Sequence, residues 1–79
     1  MRGFSNHRRI EILQLLQNHP ELSVFEIAEA LHVNFKTVSE HTRRLTFVGL
    51  VRKRNEGAAV RHAVSPLGTI ILKFLRTIE

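Results

Sequence analysis

The sequence contains no cysteine, tryptophan or tyrosine, and its 79 residues include only two prolines and four glycines. Without cysteine the chain has no disulfide, no thiolate metal ligand and no nucleophilic thiol. It also lacks a glycine-rich phosphate loop and paired carboxylates at catalytic spacing, so we expect no enzyme, no cofactor and no metal. The absence of a long apolar run argues against a signal peptide or membrane span and predicts a cytoplasmic protein.

Acidic side chains are few as well. Seven acidic residues stand against 12 lysine and arginine residues, which gives a formal net charge of +5. An excess of this size in a short chain favours a polyanionic partner, and its clustering between residues 36 and 61 favours nucleic acid. The length allows one small domain with a modest core.

Residues 23–48 carry the pattern of a helix-turn-helix. Ser23 is followed three residues later by Glu26, which predicts a capping box at the start of a short helix from Val24 to about Leu31. Apolar residues then recur at helical spacing, so one face of this helix can bury. His32 is the turn residue best suited to a left-handed backbone conformation.

The second helix of this motif is the candidate DNA-contacting element. Asn34 is a favoured N-cap for a helix from Phe35 to about Val48, which Gly49 is expected to end. Helical spacing buries one side of this helix and turns a mixed polar face outward. Such a face matches base edges and phosphates in a major groove, and an ordinary solvated face is the alternative. The predicted contacts are Asn34, Lys36, Thr37, Ser39, Glu40, Arg43 and Arg44.

Residues 50–64 predict a basic β-hairpin. Two strand-like runs are joined by the glycine-containing turn Asn55-Glu56-Gly57. Phe47, at the end of the preceding helix, is expected to lean on this hairpin. Four cations near its tip would neutralise phosphates beside the groove, unless they serve only to keep an ordinary hairpin soluble. These cations are Arg52, Lys53, Arg54 and Arg61.

The run Val38-Ser39-Glu40-His41-Thr42-Arg43-Arg44-Leu45 followed by Val48-Gly49-Leu50-Val51 resembles the recognition helix and wing entrance of ArsR-type transcriptional regulators. The resemblance extends from Arg9-Ile10-Glu11-Ile12-Leu13 to Val64, and MarR-type regulators share much of it. It implies a winged helix-turn-helix, mostly α with a small β-hairpin (α+β). The order is helix, optional short strand, two helices, two hairpin strands and a last helix. The resemblance also implies that Lys36, Ser39 and Glu40 touch DNA.

The chain departs from the metal-sensing members of that family. Two cysteines of such members are replaced here by Ser23 and Phe25, so the thiolate site cannot form. A second family metal site on the last helix needs histidines and carboxylates. Residues 66–79 contain no histidine and only one carboxylate, Glu79. The resemblance therefore implies a variant that does not sense metals. Thr42 also stands where leucine is usual, which places a hydroxyl near the core.

The flanking helices carry more apolar surface than one small core requires. The first helix, which Ser5 or Asn6 can cap, runs to about Asn18, and the last begins at Ser65-Pro66. The apolar excess on both helices predicts a homodimer, as the ArsR resemblance also implies. The alternative is that both helices simply complete one core. The predicted dimer interface comprises Ile10, Leu13, Leu67, Ile70, Ile71, Phe74, Leu75 and Ile78.

These patterns predict one winged-helix domain over residues 1–79. It would consist of an N-terminal helix (1–19), the helix-turn-helix (23–48), the wing (50–64) and a dimerisation helix (65–79). The predicted function is sequence-specific binding of double-stranded DNA by a homodimeric transcriptional regulator, expected to be a repressor associated with the nucleoid. Two other functions stay open, a winged-helix protein-protein interaction module and a sequence-tolerant architectural DNA-binding protein.

Overall fold

The computed structural model describes the backbone of residues 2–78 and the side chains of residues 7–75. Over this range the chain forms four helices and a two-stranded antiparallel hairpin, which is the predicted winged-helix arrangement. The elements are α1 (Arg2–Asn18), α2 (Val24–Leu31), α3 (Phe35–Phe47), β1 (Val51–Glu56), β2 (Ala59–Val64) and α4 (Pro66–Ile78). None of the described helices combines the length and hydrophobicity needed to cross a bilayer.

α1 begins earlier than the sequence predicts. Its first helical residue is Arg2, so Ser5 and Asn6 lie inside the helix and do not cap it. Serine and asparagine are favoured at caps but tolerated inside a helix, and no proline precedes them to force a helix start. The helix ends at Asn18, directly before His19-Pro20, as predicted.

The capping box and the turn of the helix-turn-helix form as predicted. Ser23 Oγ accepts a hydrogen bond from the Glu26 amide at 3.2 Å, and Glu26 Oε1 accepts one from the Ser23 amide at 2.8 Å. His32 adopts the left-handed conformation (φ 56°, ψ 44°) that turns the chain between α2 and α3. These local contacts orient α2 before any tertiary packing is considered.

The ends of α3 agree with the prediction to within one residue. Asn34 is its N-cap, and the helix stops at Phe47 with Val48 as C-cap. Gly49 follows with φ +85°, the left-handed conformation expected of the residue that ends a helix.

The core lies between α1, the helix-turn-helix and the base of the hairpin. Its fully buried large side chains are Ile12, Leu16, Ile27, Val38 and Val51. Burying each such side chain stabilises the fold by roughly 1.5–3 kcal/mol. Because Val38 comes from α3, the core holds one side of that helix and leaves the opposite side free.

The hairpin has a regular register, with Val51 opposite Val64 and Glu56 opposite Ala59. The optional strand before α2 is reduced to one bridge, in which the amide of His62 donates to the Leu22 carbonyl at 2.9 Å. A longer strand cannot form there because Pro20 has no amide hydrogen and the α2 cap follows directly after Leu22.

The first turn of α4 is fixed against the residues that follow α3. Ser65 Oγ donates to the Gly49 carbonyl at 2.6 Å and accepts from the Gly68 amide at 3.0 Å. A Cβ atom on Gly68 would lie 2.4 Å from the Leu50 carbonyl oxygen and 2.7 Å from Val64 Cγ1. Only glycine allows this approach, so it sets the path of α4.

Candidate nucleic-acid interface

The outward side of α3 holds the predicted DNA-contacting residues. Val38, Thr42 and Leu45 are buried on the inner side, with at most 2% of each residue exposed. Ser39 is half-buried at the edge between the two sides. The other predicted DNA-contacting residues of α3 are exposed to solvent, namely Lys36, Thr37, Glu40, Arg43 and Arg44. The division into a buried and a polar side follows the prediction from helical spacing.

Asn34 is already engaged by its own helix. Its Oδ1 accepts hydrogen bonds from the amides of Lys36 at 2.7 Å and Thr37 at 3.3 Å. The carboxamide oxygen is therefore used as a cap, and only the amide hydrogens of Asn34 can reach a phosphate. The cap thus provides a hydrogen-bond acceptor for two of the amides at the start of α3 that have no partner within the helix.

The charges on the outward side of α3 are only loosely paired. Arg43 Nη2 lies 3.6 Å from Glu40 Oε2, and both side chains are mostly exposed. An exposed ion pair of this length contributes little to stability, so a phosphate or a base edge can replace Glu40 as the partner of Arg43. Lys36 and Arg44 form no ion pair with any residue of the described side chains.

The wing (β1, β2 and their turn) holds two kinds of cation. Arg52 and Lys53 are exposed and form no ion pair within the described side chains. Arg54 is different, because it donates to the carboxylate of Glu21 and lies 3.5 Å from Glu56. These contacts raise the pKa of Arg54, chiefly through the hydrogen bond with Glu21.

Arg61 is also held by acidic neighbours. Its Nε donates to Glu56 Oε1 at 2.7 Å, and its Nη1 donates to the Glu21 carbonyl at 3.1 Å. The hydrogen bond from Arg61 is the main reason that the pKa of Glu56 lies below its ordinary value. The sequence alone does not predict these pairs, which leave Arg52 and Lys53 as the unpaired cations of the wing. Glu21 itself has a left-handed backbone conformation (φ 70°), which is uncommon for residues other than glycine.

The wing and the outward side of α3 face a common groove of about 430 Å³. Ser39 and Arg43 line it from α3, and Lys53 and Val60 line it from the two strands. The groove shows that Ser39 and Arg43 of α3 lie on the same side of the molecule as Lys53 of the wing. Both elements can therefore meet one duplex at the same time.

Phe47 does not take the predicted position. It is 89% exposed and so does not lean on the hairpin. The ring lines the edge of the groove between α3 and the wing, but the hairpin does not cover it. Val48, the next residue, is also 57% exposed.

The interior polar groups near α3 are not all satisfied. Thr42 Oγ1 and His41 Nδ1 are buried without a hydrogen-bond partner among the described residues. The hydroxyl of Thr42 thus lies at the core, as predicted. The pKa of His41 lies below its ordinary value, first because of burial and then because Arg9 and Arg44 are close.

The predicted dimer residues are divided by the structure. Leu13 is 2% exposed inside the chain's own core, so the prediction that it lies at a dimer interface is wrong for this conformation. Ile10, Ile71 and Leu75 are half-buried. The α4 residues Leu67, Ile70 and Phe74 are 48%, 61% and 60% exposed, and the side chain of Ile78 lies outside the described residues. The α4 side chain that is buried in the hydrophobic core is that of Leu72.

No three histidine or carboxylate side chains within the described part of the chain come close enough to hold a metal ion. His62 is buried beside the Leu22 carbonyl, with Nδ1 2.9 Å from that oxygen. Its position is explained by the bridge between β2 and the segment before α2.

The family assignment comes from a sequence comparison. The model of the HVO_A0114 family matches residues 5–69, which include the helix-turn-helix and the whole wing. The chain belongs to the HVO_A0114 family. No curated protein sequence matches it significantly. The family's description is its name alone, so the match by itself assigns neither a fold nor a binding partner.

Solved structures with the same fold include several transcriptional regulators. HlyU from Vibrio vulnificus CMCP6 is 31% identical, with a TM-score of 0.78 over 98% of this chain and 80% of HlyU. The regulator SlyA is 17% identical, with a TM-score of 0.80 over 87% of this chain and 51% of SlyA. FabT from Streptococcus pneumoniae, solved in complex with DNA, is 14% identical, with a TM-score of 0.80 over 90% of this chain and 52% of FabT.

The chain therefore spans about half the length of SlyA and FabT, and most of HlyU. SlyA and FabT are similar in fold, whereas HlyU is also a relative by sequence. These neighbours agree with the predicted winged helix-turn-helix. The ArsR subtype stays a prediction, because none of these comparisons names it.

Proposed function

We propose that this member of the HVO_A0114 family is a transcriptional regulator that binds double-stranded DNA in a sequence-specific manner, and that it acts as a homodimeric repressor. The main support is the groove in which the polar face of α3 and the unpaired cation Lys53 lie side by side. The relative HlyU is a transcriptional regulator, and FabT, which shares the fold, has been solved with DNA.

In this proposal α3 enters the major groove. Lys36, Ser39 and Arg43 would donate to base edges or phosphates. Thr37 and Arg44 would contact the sugar-phosphate backbone of the DNA beside them. Glu40 would accept a hydrogen bond from a cytosine amino group, which makes it a specificity residue in spite of its charge. Asn34 would offer its remaining amide hydrogens to a phosphate at the start of the helix.

The wing would follow the neighbouring phosphates. Arg52 and Lys53 can bind them directly, because neither holds an ion pair in the described side chains. Arg54 and Arg61 must first release Glu21 and Glu56, so we expect a smaller net gain from them. This ranking of the wing cations comes from the contacts and replaces the equal roles predicted from sequence.

Homodimerisation is supported by the exposed stripe of Leu67, Ile70 and Phe74 on α4. Three large apolar side chains on one face of a helix form a patch that soluble monomers seldom leave open. Contact between two such stripes across a twofold axis would cover both. Two recognition helices about 34 Å apart would then favour an inverted-repeat site. Such a regulator would act in the cytoplasm, on the nucleoid.

The test starts with selection of bound sequences from a random duplex pool by the wild-type chain. A palindromic consensus is the expected result. Fluorescence anisotropy on that site should then show about a tenfold loss for Arg43→Ala and a salt dependence reduced by about one phosphate contact for Arg52→Ala. Glu40→Ala should relax the sequence preference. Lys73→Gln, which removes the same charge from α4, serves as the control and should bind as the wild type does.

The outcomes distinguish the other functions. A specificity ratio near one across random duplexes would indicate an architectural DNA-binding protein. No binding to any duplex at low salt would indicate a protein-protein interaction module. Losses for Lys73→Gln that equal those for Arg43→Ala would show that only net charge matters, and would contradict the interface proposed for α3.

A further inference from the structure

A second groove, with a volume of about 470 Å³, lies between α1, the end of α3 and Leu50. Apolar side chains form much of its surface, and three arginines surround them. The residues that matter are Arg9, Arg43 and Arg44, with Phe47, Val48 and Leu50. Arg43 and Phe47 belong also to the groove that faces the wing.

The charge in this second groove is unbalanced. No carboxylate lines it, and among its three arginines only Arg43 has an ion pair within the described side chains, the loose 3.6 Å contact with Glu40. Arg9 Nε is buried without a hydrogen-bond partner within the described side chains. Burial is the main reason that the pKa of His41 is lowered, and the nearby charges of Arg9 and Arg44 lower it further. A negatively charged group would accept hydrogen bonds from these arginines and balance their charge.

The apolar part of the groove restricts the chemistry further. Phe47 is 89% exposed and Val48 is 57% exposed, although both are large apolar residues. A free phosphate or a DNA backbone would neutralise the arginines but leave these side chains in water. A ligand with an apolar body would cover them as well, and the volume is in the range of ordinary small-molecule sites.

We propose that the second groove is an effector site for a small organic acid. The apolar body would rest on Phe47, Val48 and Leu50, and one carboxylate would bind the arginines, chiefly Arg9. Neither the family match nor the predicted DNA interface requires such a ligand.

Binding of the acid would oppose binding of DNA, a consequence that rests on the function proposed above. Arg43 lines both grooves, so a carboxylate that holds its guanidinium withdraws it from the duplex. By linkage, DNA and the acid weaken each other's binding by the same factor. The organic acid would therefore act as an inducer.

The first experiment measures ligand binding without DNA. Naphthoate is the probe, because the chain has no tryptophan or tyrosine whose emission would overlap with it. Naphthylmethanol supplies the same apolar body without charge. We expect the wild type to bind naphthoate at least about tenfold more tightly than naphthylmethanol, and Arg9→Gln to lose that preference. Arg8→Gln is the matched control, since Arg8 pairs with Glu11 and does not line the groove.

A second variant separates the apolar contribution from the charge. Val48→Ser should weaken the binding of naphthoate and naphthylmethanol alike while the preference for the acid stays, and it changes a side chain that is 57% exposed. Circular dichroism confirms that each variant is folded. Equal binding of the two probes, or the same loss in Arg8→Gln as in Arg9→Gln, would overturn the proposal. Naphthoate binding that falls as the protein concentration rises would assign the groove to a second copy of the chain, and would also overturn it.

The coupling is measured last, on the selected duplex. At a naphthoate concentration that just saturates the wild type, DNA binding by the wild type should weaken, and DNA binding by Arg9→Gln should weaken much less. Failure to find any DNA binding would remove the proposed function but not the naphthoate result. An acid that binds as expected yet leaves the DNA affinity of the wild type unchanged would remove the inducer role.

Discussion

Gly68→Ala should destabilise the protein, although alanine is the better helix former. In the interior of an exposed helix this change would stabilise the fold by about 1 kcal/mol. Here the new Cβ would lie 2.4 Å from the backbone carbonyl oxygen of Leu50 and 2.7 Å from Val64 Cγ1. The carbonyl also accepts a hydrogen bond from the Ser65 amide at 3.0 Å, so it cannot move without loss.

The size of the effect follows from these two opposing contributions. Overpacking typically costs about 1–3 kcal/mol, and contact with backbone places this case at the upper end. After subtraction of the helix preference, we expect a net loss of about 2 kcal/mol in the free energy of unfolding. For a domain of this length the melting temperature should fall by roughly 10 °C.

The assay is thermal and urea unfolding followed by circular dichroism. All variants are compared at one protein concentration, because a dimer would make the melting temperature depend on it. Thr69→Ala, on the same turn of α4, is the control and should be neutral or slightly stabilising. A Gly68→Ala variant as stable as the wild type would refute the close approach of α4 to Leu50.

Three further predictions concern the dimer, the pH dependence and the wing. Ile70→Glu should convert a dimer into a monomer in sedimentation velocity, and a wild-type chain that is monomeric at micromolar concentration would rule the dimer out. Folding lowers the pKa of His41, so its neutral form is favoured in the folded state. Its contribution to the free energy of unfolding should therefore be fully present above its ordinary pKa of 6.5 and should be lost as the pH falls below that value. His41→Gln should flatten this part of the melting-temperature profile, and an unchanged slope would assign it to other groups. Glu21→Gln should free Arg54 and strengthen duplex binding about twofold to fivefold. Glu29→Gln, the same charge change on α2, should have no effect, and equal gains in both would contradict this role of Glu21.

The features predicted correctly from sequence are mostly local. The Ser23–Glu26 capping box joins residues three apart, and the Asn34 cap joins residues two and three apart. His32 and Gly49 adopt left-handed conformations that depend on the type of each residue and on its immediate neighbours. Such contacts need no knowledge of what packs against the helix, and so the helix-turn-helix is readable from the sequence.

The features that could not be predicted join distant parts of the chain. Arg54 and Glu21 are separated by 33 positions, and nothing in the basic run of β1 indicates that one of its cations is held by the loop before α2. Periodicity separates the faces of a helix but does not say which face meets the core. It therefore placed Leu13 at a dimer surface, whereas Leu13 is buried in the core of the chain itself.

The sequence by itself determined the helix-turn-helix, the basic hairpin and the polar face of α3, because caps, turn residues and helical spacing act over a few residues. Only the tertiary structure decided which wing cations are unpaired, which face of α4 is exposed and that three arginines surround an apolar groove. These properties depend on distances between segments far apart in the chain. Such distances are set by the packing of the whole core and by the close approach that Gly68 permits.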